Sequence, residues 1–85
     1  MIGFLKGSIE LLDRPFVYID VNGVGYKVLI SDAIYSKLSK DDKIKFFTFT
    51  YVREDELALF GFLEVEDLKL FEALITVSGI GPKTA

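Results

Sequence analysis

The sequence contains neither cysteine nor histidine. Without cysteine there can be no disulfide, no thiolate nucleophile and no zinc site built on cysteine. Without histidine the chain lacks the residue that most often serves as general base and metal ligand. It also lacks the GxxxxGK[ST] loop that cradles the phosphates of ATP. These absences favour a binding function over an enzymatic one, with no cofactor.

Long apolar runs are missing as well. The longest, LALFGFL at 57–63, falls far short of the ~18 residues that suggest a membrane span. The first residues, MIGFLKGSIELL, are interrupted by glycine and lysine and do not resemble a secretion signal. We therefore expect a cytoplasmic protein. The net charge of −3 argues weakly against nucleic acid, because phosphate binding normally needs a basic surface.

The first 63 residues have the pattern of short β-strands rich in β-branched and aromatic residues. The predicted strands are GFLKGSIELL (3–12), PFVYIDV (15–21), VGYKVLI (24–30), KIKFFTFTYV (43–52) and ELALFGFL (56–63). Gly7 predicts a bulge or bend in the first, and Asn22-Gly23 predicts a tight hairpin between the second and third. Ser31 is a candidate cap for one or two helical turns before the fourth.

So many short strands in a small chain favour a closed barrel, which removes exposed sheet edges. The strand count and the short helix before strand four fit a mainly β fold. We predict an oligonucleotide/oligosaccharide-binding (OB) barrel of five to six strands.

The hydrophobic period changes near Leu63. Apolar residues then recur at helical spacing, at Val65, Leu68, Phe71, Leu74 and Ile75. This spacing predicts a helix over about 64–77, and Leu70 and Val77 widen its apolar stripe beyond one side. We therefore expect a barrel domain over 1–63 and the start of a helical domain over 64–85.

The last residues, VSGIGPKTA, follow that helix with two glycines around one isoleucine. The glycines permit a tight turn, and Pro82 suits the first turn of a second helix. Such a helix-hairpin-helix can bind a phosphate through backbone N–H groups and a helix N-terminus. The predicted phosphate-binding residues are Gly79, Ile80, Gly81, Lys83 and Thr84. The alternative is a plain helix C-cap at Gly79.

The segment REDE at 53–56 joins strands four and five. It is either a solvated turn, a metal-binding carboxylate pair, or a negative device that repels phosphates and guides DNA strands. Two adjacent carboxylates without a third ligand coordinate a metal ion poorly, so no metal site is predicted. The repulsive function requires DNA nearby, which the terminal hairpin would supply.

Four stretches together resemble one known family. They are MIGFLKG (1–7), VNGVGYKV (21–28), VREDELALFGF (52–62) and LFEALITVSGIGPKTA (70–85). In order and spacing the whole chain is similar to the N-terminal part of the RuvA family. These proteins are the Holliday-junction-binding subunits of the RuvAB branch-migration complex.

The resemblance implies a non-catalytic DNA-binding subunit that acts in recombination and repair of DNA damage, including the SOS response. It implies an OB barrel, a helical domain with two helix-hairpin-helix motifs, and a mobile third domain that binds the RuvB ATPase. It also implies a homotetramer that holds a four-way junction open. Glu54 and Asp55 match the family's acidic pin, and the GIGPK turn matches its first phosphate-binding hairpin. Because the sequence stops at Ala85, we expect it to be a fragment.

Two other hypotheses stay open from the residues alone. One is an OB-type binding module for protein, sugar or single-stranded nucleic acid, in which the terminal glycine turn is purely structural. The other is a Mg²⁺-dependent nuclease that uses Glu54, Asp55 and Glu56. Binding preference separates the first from a junction-binding subunit, and strand cleavage tests the second.

Overall fold

The computed structural model describes residues 1–77, without the side chain of Val77. It contains five strands and two helices. They are β1 (Phe4–Asp13), β2 (Phe16–Val21), β3 (Val24–Leu29), α1 (Asp32–Tyr35), β4 (Lys43–Arg53), β5 (Glu56–Phe62) and α2 (Val65–Val77). The predicted strands and the helix after Leu63 are confirmed, with ends that differ by at most one or two residues.

The five strands close into a barrel in the order β1-β2-β3-β5-β4. Four of the five contacts are antiparallel. The fifth joins β3 and β5 in parallel through Val28 with Leu59 and Leu29 with Phe60. The predicted OB-type barrel is therefore confirmed, with five strands in the described part of the chain.

Local sequence signals account for the first turns. Asn22 and Gly23 have φ of 53° and 88°, as a two-residue hairpin with the right strand twist requires. Asp20 supports this turn by accepting a hydrogen bond from the Gly23 N–H at 2.7 Å. Ser31 caps α1 as predicted, since its hydroxyl accepts from the Ile34 N–H at 3.2 Å.

The irregularity of β1 lies elsewhere than predicted. The register with β2 shifts between Ile9 and Leu11, whereas Gly7 pairs regularly with Ile44 of β4. Of the bulge or bend predicted at Gly7, the bulge is therefore wrong. Glycine is needed there for a different reason, because a Cβ at position 7 would lie 2.1 Å from the carbonyl oxygen of Asp20.

The barrel interior is mainly apolar, and Ile2 near the start of the chain packs against it. The core consists of Leu5, Ile9, Val17, Ile19, Val28, Ile30, Phe46 and Leu59. Two buried threonines of β4 bind the backbone of Ile2: Thr50 Oγ1 accepts from its N–H at 3.0 Å, and the Thr48 hydroxyl donates to its carbonyl. These bonds satisfy the buried hydroxyls and fix the first residues along β4.

Helix α2 packs on the outer face of β4 and β5. Phe71 is buried there, with its ring centroid 5.4 Å from Phe49, 5.5 Å from Phe60 and 5.1 Å from Phe62. Leu70 and Leu74 remain exposed on the same helix. Apolar residues thus lie on more than one side of α2, as its sequence predicted.

Candidate nucleic-acid interface

The β4–β5 hairpin projects from the barrel wall. Its last ladder pair is Arg53 with Glu56, so Glu54 and Asp55 form the turn. In the described ladder β3 pairs with β5 only at Leu59 and Phe60, so no third strand is paired with the outermost three pairs. Lys27 and Leu29 of β3 still line a cleft with the β5 side of these pairs. At about 3.3 Å per residue the hairpin extends roughly 10 Å beyond its last pair with β3.

The turn presents its carboxylates to solvent. Glu54 and Asp55 are both exposed, and the described ion pairs, Arg14–Asp32 and Lys40–Asp41, involve neither of them. The neighbouring Arg53 is held by Tyr51: its Nε donates to the phenol oxygen, and its guanidinium carbon lies 5.3 Å from the ring centroid. This contact directs the guanidinium back along β4.

Two apolar side chains stand directly below the turn. Val52 and Leu57 face each other across the ladder and are 67% and 62% exposed. The hairpin therefore has a charged turn with an exposed apolar pair directly beside it. Exposed apolar side chains at such a position suit a contact with another macromolecule more than with water.

The tip carboxylates are not joined by further potential metal ligands in the described part of the chain. Within residues 1–77 no group of three or more potential ligands is close enough to hold an ion. The turn carboxylates are neighbours in sequence at the end of a projecting hairpin, where water surrounds them. The described residues thus add nothing in favour of the Mg²⁺-dependent nuclease hypothesis. In the same range no helix is long and apolar enough to cross a membrane.

The predicted site residues fall into two groups. Glu54 and Asp55 are brought together at the hairpin tip. The phosphate-hairpin residues Gly79, Ile80, Gly81, Lys83 and Thr84 lie outside the described residues and stay a prediction. The helix expected to lead into that turn is present, since α2 extends to Val77.

Sequence reasoning missed a cluster of lysines on the opposite end of β4. Lys43 and Lys45 point outward there, and Lys6 of β1 pairs directly with Lys45. A signal existed in the alternating Lys-Ile-Lys that opens β4. However, only the register between β1 and β4 shows that Lys6 joins the other two.

Comparison with known proteins identifies the family of this chain. Residues 1–61 match the family described as the RuvA N terminal domain. The chain is 45% identical over 85 residues to the "Holliday junction branch migration complex subunit RuvA" of Halothermothrix orenii. It is 46% identical over 86 residues to the protein of that name in Syntrophomonas wolfei. The matches cover all of this chain and 43% of each relative. The chain therefore belongs to the RuvA N-terminal domain family.

Proposed function

We propose that this chain is part of a non-catalytic subunit that binds four-way (Holliday) junctions and supports branch migration by a RuvB-type ATPase. The observation that carries the proposal is the projecting hairpin with Glu54 and Asp55 alone in its turn. The names of the relatives, which describe a Holliday junction branch migration complex subunit, give the proposal its substrate. The site of action is the bacterial cytoplasm, in recombination and repair.

The chemistry divides into attraction and repulsion. The predicted turn around Gly79 and Gly81, with Lys83, attracts backbone phosphates irrespective of base sequence. The acidic pin, Glu54 and Asp55, repels phosphates that converge at a crossover. Carboxylates at the end of a two-strand hairpin hold their charge away from the barrel core. The DNA strands are therefore kept apart at the tip while the junction arms are bound elsewhere.

We further propose that residues 1–63 form the barrel domain and that 64–85 begin a helical domain.

We also propose that four subunits assemble around the junction. The exposed apolar side chains support this assembly: Val52 and Leu57 below the pin, and Leu70 and Leu74 on α2. Light scattering of the complete gene product should give four times the monomer mass. A clean monomer at micromolar concentration contradicts the assembly.

A gel-shift assay of the complete gene product tests the junction proposal. The substrates are a labelled four-way junction and a linear duplex of equal length and composition, each with Mg²⁺ present. We expect tighter binding of the junction, with every labelled strand left intact. Equal affinity for both substrates would favour a general OB-type binding module. Cleavage that disappears in Glu54→Gln would favour a nuclease.

A further inference from the structure

The outer face of β1 and β4 carries an open cleft lined by lysines. Along the ladder, Lys6 faces Lys45 and Ser8 faces Lys43. Together with Gly7 and the Asn22-Gly23 turn, these residues enclose about 650 Å³. We refer to Lys6, Lys43 and Lys45 as the basic cleft. It lies at the far end of β4 from the acidic pin, roughly 33 Å away for ten extended residues.

The basic cleft is electrostatically unfavourable without an anion. Like charges directly opposite in an antiparallel ladder destabilise the pair, and Lys6 and Lys45 are such a pair. The ion pairs of the described residues lie elsewhere. Asp20 is the one carboxylate lining the cleft, and it already accepts the Gly23 N–H at 2.7 Å. Three lysines against one aspartate leave a net positive charge.

Aromatic rings continue the same face. Lys45 Nζ lies 4.6 Å from the ring centroid of Phe4 and 5.0 Å from that of Phe47, and these two rings are paired across the ladder. Phe4 is 56% exposed. Cations interleaved with exposed aromatic rings are typical of surfaces that bind unpaired nucleic acid, because every base can stack on a ring.

The spacing suits a polynucleotide backbone. Lys43 and Lys45 are two residues apart on one strand, or about 6.6 Å, which is comparable to the separation of consecutive phosphates in an extended strand. We propose that the basic cleft binds the phosphodiester backbone of an unpaired DNA strand, with one base stacked on Phe4. This goes beyond the proposed function, since the arms of a junction are paired.

The test measures binding of the complete gene product to a fluorescent oligodeoxythymidine of ~12 nucleotides, within the usual site sizes for OB folds. In Lys6→Ala/Lys45→Ala the slope of log affinity against log salt should flatten by about 1.4, at about 0.7 for each lost phosphate contact. Lys43→Ala alone should flatten it by about half as much. Phe4→Ala should weaken oligonucleotide binding about tenfold and leave duplex binding unchanged.

Lys27→Ala is the matched control. Lys27 also lies over two rings, 4.2 Å from Phe16 and 5.9 Å from Tyr18, but outside the cleft, so its loss should leave oligonucleotide affinity and salt slope unchanged. Lys6→Ala alone removes the like-charge pair and keeps the contacts of Lys45 with Phe4 and Phe47, so its thermal midpoint should equal or exceed that of the wild type. A purely structural role for the lysines would lower it.

The inference is overturned by a wild-type protein that does not bind the oligonucleotide, by an unchanged salt slope in the cleft variants, or by an equal loss in Lys27→Ala. Equal effects of Phe4→Ala on oligonucleotide and duplex would also overturn it, because a base in a duplex cannot stack on the ring. The outcome is separate from the junction proposal. Oligonucleotide binding that depends on the lysines, without a preference for junctions, supports this inference alone. A preference for junctions without such oligonucleotide binding supports the junction proposal alone.

Discussion

Alanine in place of Gly7 should lower the free energy of unfolding by about 3 kcal/mol, at the upper end of what overpacking usually costs. The new Cβ would lie 2.1 Å from the carbonyl oxygen of Asp20 and 3.2 Å from a methyl of Val21. A side chain could rotate away from such a contact, but a backbone carbonyl in a ladder cannot. Relief requires β1 and β2 to separate at the place where β1 also pairs with β4. Chemical denaturation measures the loss directly.

Gly25 supplies the matched control. It is also a glycine beside Asp20, its partner in the β2–β3 ladder, yet a Cβ at position 25 has no neighbour within 4 Å. Gly25→Ala should therefore change the free energy of unfolding by less than ~0.5 kcal/mol. Similar losses at positions 7 and 25 would show that a general glycine effect, and not the clash with Asp20, determines the cost.

Neutralising the acidic pin should weaken the preference for a junction over linear duplex. In the complete gene product, Glu54→Gln with Asp55→Asn removes two exposed negative charges from a projecting turn. Repulsion of converging phosphates disappears, so affinity for any DNA should stay equal or rise, and the gain should be larger for the duplex. Both residues are exposed, so the free energy of unfolding should change by less than ~0.5 kcal/mol. Competition gel shifts with the two substrates measure the ratio.

Lys83→Ala should change DNA affinity in the opposite direction from the pin variant. Loss of one predicted phosphate contact should weaken binding to every DNA and flatten the salt slope by about one unit. The pin interpretation fails when the double variant loses affinity for all DNA equally, because carboxylates that repel phosphates cannot contribute binding. An unchanged salt slope in Lys83→Ala would show that Lys83 makes no phosphate contact, and the terminal turn would then be interpreted as a helix cap.

Local signals were sufficient for most of the fold. Asn22-Gly23 specified its hairpin because the turn needs positive φ at both residues, which few other pairs adopt. The change of period near Leu63 located α2 because a core-facing helix and a half-buried strand repeat their apolar residues differently. The charged segment between β4 and β5 placed Glu54 and Asp55 at a tip, and the structure puts them there.

Features that depend on register between distant strands could not be predicted. The sequence around Gly7 does not show that the Asp20 carbonyl approaches it, and a glycine within a strand also favours a bulge, so the pattern alone predicts the wrong feature. The basic cleft depends on the pairing of Lys6 with Lys45, which only barrel closure determines. The parallel contact between β3 and β5 cannot be recognised from the hydrophobic pattern of either strand.

The attachment of Ile2 to β4 has a consequence for biosynthesis. The hydrogen bond from Ile2 to Thr50 spans 48 residues, so Ile2 gains this partner only after most of the barrel has been made. At ordinary translation rates of 5–20 residues per second, this interval is roughly 2–10 s. During it β1 has β2 as a hairpin partner but an open edge where β4 will pair. That nascent edge is the surface a ribosome-associated chaperone would have to shield.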